Sequence, residues 1–139
     1  MKKLKVFVLV YRVQRENIEF LALRNNPADP AYGGDFWYVV TGNVEPDEEF
    51  EVAARRELAE ETGIENITQL VDPKMQFHYQ YRDVAVEEKV FLVQAGEDVR
   101  QLNEENVEYQ WLREKDFLSR IKWDDDQDKL LELIRWVTK

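Results

Sequence analysis

The chain contains no cysteine, which excludes disulfides and thiolate metal sites and leads us to expect a cytoplasmic location. It has no stretch approaching the ~20 apolar residues of a membrane-spanning helix, so no membrane partner is expected. Positive charge is scarce: 19 Lys and Arg stand against 29 Asp and Glu, a formal net charge of −10. Such a field repels a nucleic-acid polymer. A small anionic ligand would have to be drawn in by something other than net charge, and bound divalent cations would do so. There is one histidine, His78, which is read as structural rather than catalytic. The opening residues, basic and then apolar, could suggest a leader, but the apolar run covers only Val6 to Val10 and Tyr11-Arg12 follows at once. No small-residue cleavage site comes after it, so a β-strand is the better reading.

The 139 residues are 44% apolar, with seven Phe, six Tyr and four Trp. That supports one domain, residues 1–139, with a core that needs no staples. Residues 3–13 and 17–24 read as strands joined by a polar turn at 14–17. Residues 25–35, with two Pro and two Gly, read as a loop. Phe36 to Val40 reads as a short strand, Thr41 to Glu45 as a turn, and Pro46 to Thr62 as a helix stopped by Gly63. Further strands are expected at 75–81, 86–94 and 107–112, with a loop at 95–106. A short helix is expected at 114–120 and an amphipathic one from Asp124 to Val137, with Leu130, Ile134 and Val137 on one face. Mixed strands and helices give an α/β or α+β class.

The central helix is badly arranged for stability. At roughly 100° per residue, Phe50, Ala53, Ala54 and Leu58 form its apolar stripe. Glu57 and Glu61 fall in the same sector and Glu60 flanks it, so the three side chains can converge. Like charges one turn apart repel, carboxylates near a helix C-terminus oppose its dipole, and carboxylates facing a core lose hydration. Arg56 can reach Glu60, but one guanidinium cannot neutralise three acids. Clustered hard oxygen donors are what Mg²⁺ or Mn²⁺ selects. The spacing alone also allows a solvated acidic face.

Read from Gly42, the chain runs Gly42-Asn43-Val44-Glu45-Pro46-Asp47-Glu48, then seven residues to Arg56-Glu57-Leu58-Ala59-Glu60-Glu61-Thr62-Gly63-Ile64. This resembles the Nudix box, Gx5Ex7REUxEExGU with U a bulky aliphatic, at every specified position. The resemblance implies an α/β/α sandwich with a mixed β-sheet and a central catalytic loop–helix–loop. It implies that Glu57, Glu60 and Glu61 hold Mg²⁺ (or Mn²⁺), with the backbone carbonyl of Thr41 as a further ligand. Many members of the family have Gly at that position. Arg56 and Glu48 would orient the helix and its acids. A late acid is expected from Glu105-Asn106-Val107-Glu108-Tyr109-Gln110-Trp111, which is similar to the family pattern E-H-x-E-[YW]-x-W. There Glu105 would be a metal ligand or general base, although Asn106 replaces the usual His and a register error of one residue would exchange Glu105 with Glu104.

The catalytic set implied is thus Arg56, Glu60, Glu61 and Glu105. The activity implied is metal-dependent hydrolysis of a nucleoside diphosphate linked to another group. A nucleoside triphosphate would give the monophosphate and pyrophosphate. Phe36-Trp37 ahead of Thr41-Gly42 is similar to the dATP and dihydroneopterin triphosphate pyrophosphohydrolase branch, and Glu-Tyr-x-Trp also occurs in diadenosine tetraphosphate hydrolases. Trp37, Tyr79 and Tyr81 are candidate contacts to a base, with core packing as the alternative for the alternating aromatics Phe77, Tyr79 and Tyr81. The rival class is a non-catalytic nucleotide-binding sensor on the same fold. A homodimer is left open.

Overall fold

The thirteen-residue strand Lys2–Gln14 (β1) is the axis of this computed structural model, which describes residues 2–28, 34–122 and 127–138. Its middle is apolar without interruption because both faces are covered. Val6, Val8 and Val10 point to one layer, and Phe7, Leu9 and Tyr11 to the other. A two-residue turn at Arg15 and Glu16, both at positive φ (48° and 70°), returns the chain into Asn17–Asn25 (β2). Positive φ at both central residues gives the hairpin the twist its strands require.

Two short strands follow, Trp37–Tyr38 (β3) and Val40–Asn43 (β4), then the helix Phe50–Thr62 (α1). Ile67–Val71 (β5), Gln76–Tyr81 (β6), Val84–Ala95 (β7) and Asn106–Leu112 (β8) complete the sheet. The helices Glu114–Arg120 (α2) and Gln127–Thr138 (α3) end the chain. The strand order is β3-β2-β1-β7-β5, with β4 beside β1, β6 beside β7 and β8 beside β2. The β1–β7 pair is parallel and the other strand pairs are antiparallel, so the sheet is mixed. One core layer is closed by Ala53, Ala54 and Leu58 of α1. The other is closed by Phe117 of α2 and by Leu130, Leu133 and Ile134 of α3. This is the expected α/β/α sandwich.

The sheet forks. On one edge β1 pairs with β7 from Lys2 to Tyr11. On the other edge it pairs with β4 over Lys5–Val8 and then with β2 over Tyr11–Gln14. β4 and β2 therefore diverge from one strand, and a cleft of about 380 Å³ lies where they part.

Several expectations are corrected. Phe36 to Val40 is not one strand, because the pairing partner changes from β2 to β1 across Val39. Thr41 to Asn43 is strand rather than turn. The helix begins at Phe50, not Pro46, because Asp47 takes a positive φ of 64° and Glu48 folds back onto the Glu45 amide. Strand β5 was not foreseen: it is an edge strand whose Thr68 and Gln69 are exposed, so it carries little apolar signal. Part of the 25–35 loop (29–33) and the expected start of α3 at Asp124 lie outside the described residues.

Candidate active site

The segment between β4 and α1 is tied to the helix by Arg56. Its Nε and Nη2 donate to the two oxygens of Glu48, at 2.8 and 3.0 Å, in a bidentate pair. Nη2 also donates to the Asn43 carbonyl at 2.8 Å. Nη1 reaches Glu57 at 3.0 Å and Glu60 at 3.3 Å. Glu48 in turn accepts the Glu45 amide at 2.9 Å. The Arg56 hydrogen bonds, helped by that amide, hold the Glu48 carboxyl down to about 2. The same bonds hold the Arg56 guanidinium firmly charged. At the other end Gly63 caps α1 in the left-handed conformation (φ 74°), its amide donating to Ala59.

The acids of α1 sit in different surroundings. Glu57 and Glu61 are buried, at 9% and 3% exposure, whereas Glu60 is exposed. Glu57 packs its carboxylate onto the Cα of Gly42. Burial raises the Glu57 carboxyl, with Arg56 opposing. Burial raises Glu61 further, reinforced by the charges of Glu105 and Glu57. The carboxyls of Glu57 and Glu61 are in hydrogen-bonding contact, which two ionised acids cannot make favourable. One Glu61 oxygen accepts weakly from Asn106 Nδ2 at 3.4 Å, and Oε2 is buried with no partner.

The loop before β8 delivers Glu105. Its amide donates to Asn103 Oδ1 at 3.1 Å and its carbonyl accepts from the Asn26 amide at 2.8 Å. Asn26 Nδ2 also binds the Glu104 carbonyl at 3.0 Å, so the end of β2 pins both residues. Glu105 lines the cleft with Glu61, Thr41 and Gly42, while Glu104 is exposed and does not. Burial raises the Glu105 carboxyl, and the charges of Glu57, Glu60 and Glu104 add to it.

Other expected residues lie elsewhere. Trp37 does not line the cleft. Its ring lies under the Arg120 guanidinium at 5.3 Å, and its carbonyl accepts the Lys122 amide at 2.8 Å. Phe36 and Tyr38, on either side of it, line the cleft instead. Tyr79 packs against the α2/α3 core, and Tyr81 is 55% exposed beside Arg82. Neither reaches the cleft. His78 is exposed on β6. Lys3 and Lys5 do line the cleft and were missed, although their spacing of two on a strand puts them on one face.

The donors suit a hard divalent cation: several carboxylates converge, and a buried oxygen lacks the positive partner that burial demands. Among the described residues no three acidic or histidine side chains already form a closed cage. Glu57 is drawn to Arg56 and Glu60 stands out toward solvent, so closure requires side-chain rotation.

No curated protein is significantly similar to the chain in sequence. The Ap4A hydrolase of C. elegans, solved as a binary complex, superposes with a TM-score of 0.73 at 23% identity, over 97% of each chain. The dihydroneopterin triphosphate pyrophosphohydrolase of E. coli matches with a TM-score of 0.67 at 25% identity, over 86% of each chain. The NUDIX domain of Shewanella oneidensis NrtR, complexed with ADP ribose, gives 0.76 at 15% identity, over 100% of this chain and 90% of that one. The family model of the NUDIX domain matches residues 1–134. The chain belongs to the NUDIX family and is of its hydrolase type.

Proposed function

We propose that the protein is a Mg²⁺-dependent pyrophosphohydrolase that opens the anhydride of a nucleoside diphosphate-linked substrate, with nucleoside triphosphates converted to the monophosphate and pyrophosphate. The observation that carries this is the buried, unpartnered Glu61 oxygen, which lines an open cleft together with Glu105.

Glu57, Glu60 and Glu61 would hold the cation, with the Thr41 carbonyl beside them. When bound, it neutralises phosphate charge and polarises the phosphorus. Arg56 joins the helix to the loop before it and holds Glu57, which would turn from the guanidinium to reach a cation beside Glu61. Glu105 takes the proton of the attacking water as its oxygen adds to phosphorus. The anhydride P–O bond opposite breaks and pyrophosphate leaves.

A panel of nucleoside triphosphates, diadenosine tetraphosphate and ADP-ribose, each with Mg²⁺ and Mn²⁺, tests the proposal by chromatography of products. Turnover of a triphosphate to monophosphate and pyrophosphate is expected. Preference for the dinucleotide would move the protein to the activity named for its C. elegans neighbour. Tight ADP-ribose binding without turnover of any compound would support the sensor reading, suggested by the NrtR complex. The retention of all box carboxylates argues against that outcome.

A further inference from the structure

We propose that Lys5, with Lys3, is the binding arm for the outer phosphates of the substrate, which makes the preferred substrate a chain of at least three phosphates rather than a diphosphate between two neutral groups. This rests on the hydrolase reading above. Both lysines line the same cleft as Glu61 and Glu105. Lys5 lies opposite Asn43 in the β1–β4 ladder, and Asn43 also lines the cleft. Its charge is near enough to act on the Glu105 carboxyl. Among the described residues neither ammonium has a carboxylate within ion-pair distance, in a chain with ten more acids than bases.

The two sides of the cleft ask for different things. Carboxylates gather cations and repel phosphate, so only phosphates that share a cation with them can approach. A phosphate beyond that cation would face unscreened acids unless a fixed positive charge met it. Lys5 and Lys3 supply that charge where the fork opens. Lysine suits the task because its ammonium is a mobile point charge that needs no particular phosphate orientation. A diphosphate flanked by two sugars spends both phosphates at the cation and leaves the lysines nothing to hold.

Calorimetric titration of inorganic tripolyphosphate with Mg²⁺ tests this without turnover. Lys5→Ala, and more so the Lys3→Ala/Lys5→Ala pair, should lower affinity ~10-fold or more, a loss of about 1.4 kcal/mol. Lys5→Arg should retain most of it. In kinetics the double variant should raise KM for dATP far more than for ADP-ribose. Unchanged tripolyphosphate affinity in the double variant overturns the proposal even if nucleotides are hydrolysed. So does a fall in melting temperature with affinity intact, which would make Lys5 a structural residue of the β1–β7 ladder. Lysine-dependent tripolyphosphate binding by a wild-type protein that turns over nothing would strike the hydrolase reading alone.

Discussion

The carboxylate of Glu57 occupies the space that any side chain on Gly42 would need. Its three terminal atoms are the nearest neighbours of a Cβ built there, all inside van der Waals contact. The glycine is thus required by close approach and not by backbone conformation, since its φ is not positive. Gly42→Ala should displace Glu57 and cost about 1–3 kcal/mol of stability by overpacking. Activity should fall ~10²-fold, as expected for a ligand moved by about an ångström. Thermal melts and steady-state kinetics measure both, and a fully active, equally stable variant would show that Glu57 moves freely.

Glu60 and Glu61 should part company when stability is measured. Both Glu60→Gln and Glu61→Gln should lower Mg²⁺-dependent activity by orders of magnitude. Glu61→Gln also removes a carboxyl that its burial and acidic neighbours keep from ionising freely and whose Oε2 has no partner, so without metal it should melt no lower than wild type. Glu60 is exposed, and its variant should melt near wild type. Mg²⁺ should raise the wild-type melting temperature, because a ligand of the native state alone stabilises it. That increment should shrink in Glu61→Gln. Full activity in either variant, or an unstable Glu61→Gln, would contradict this account.

Glu105 and its neighbour Glu104 separate by kinetics at saturating Mg²⁺. Glu105→Gln should reduce kcat by ~10²–10⁴-fold if Glu105 is the base. Glu104→Gln should stay near wild type, because Glu104 is exposed and only its backbone carbonyl is used. Equal, small losses would return the base role to the α1 acids.

The Glu48–Arg56 pair should give a pH-dependent share of stability. Glu48 is depressed to about 2 in the folded chain, against an ordinary 4.5. A depressed acid contributes its stability fully above the ordinary value and loses it as the pH falls toward the folded one. Glu48→Gln should therefore melt lower than wild type at about pH 7, and the gap should close between about pH 4.5 and 2. A gap that stays constant across that range would mean that Glu48 contributes by shape and not by charge.

What could be read from the sequence followed regular periodicity and fixed spacing. The αL cap at Gly63 sits where the pattern put it, and of the i, i+3, i+4 acids Glu57 and Glu61 turn into the protein while Glu60 stays exposed. The start of α1 was misplaced because Pro46 looks like a helix opener, while the side chain of Glu48 is spent on Arg56 and the Glu45 amide. The aromatics fared worse. Trp37, Tyr79 and Tyr81 have the same composition whether they line a cleft or a core, and nothing in their spacing says that Phe36 and Tyr38 line the cleft in place of Trp37. Lys3 and Lys5 were in plain view, but nothing local reveals that the far end of β2 leaves β1 and opens a cleft next to them.

The forked sheet puts the aromatic wall of the cleft and the acidic helix on separately anchored pieces. Arg56 locks the acidic helix to its own preceding loop, whereas Phe36 and Tyr38 belong to a segment anchored to β2 and α2. A substitution at Phe36 or Tyr38 should therefore change that wall of the cleft without moving Arg56 or the acids it holds. One wall of the cleft can thus vary in sequence while the other stays fixed.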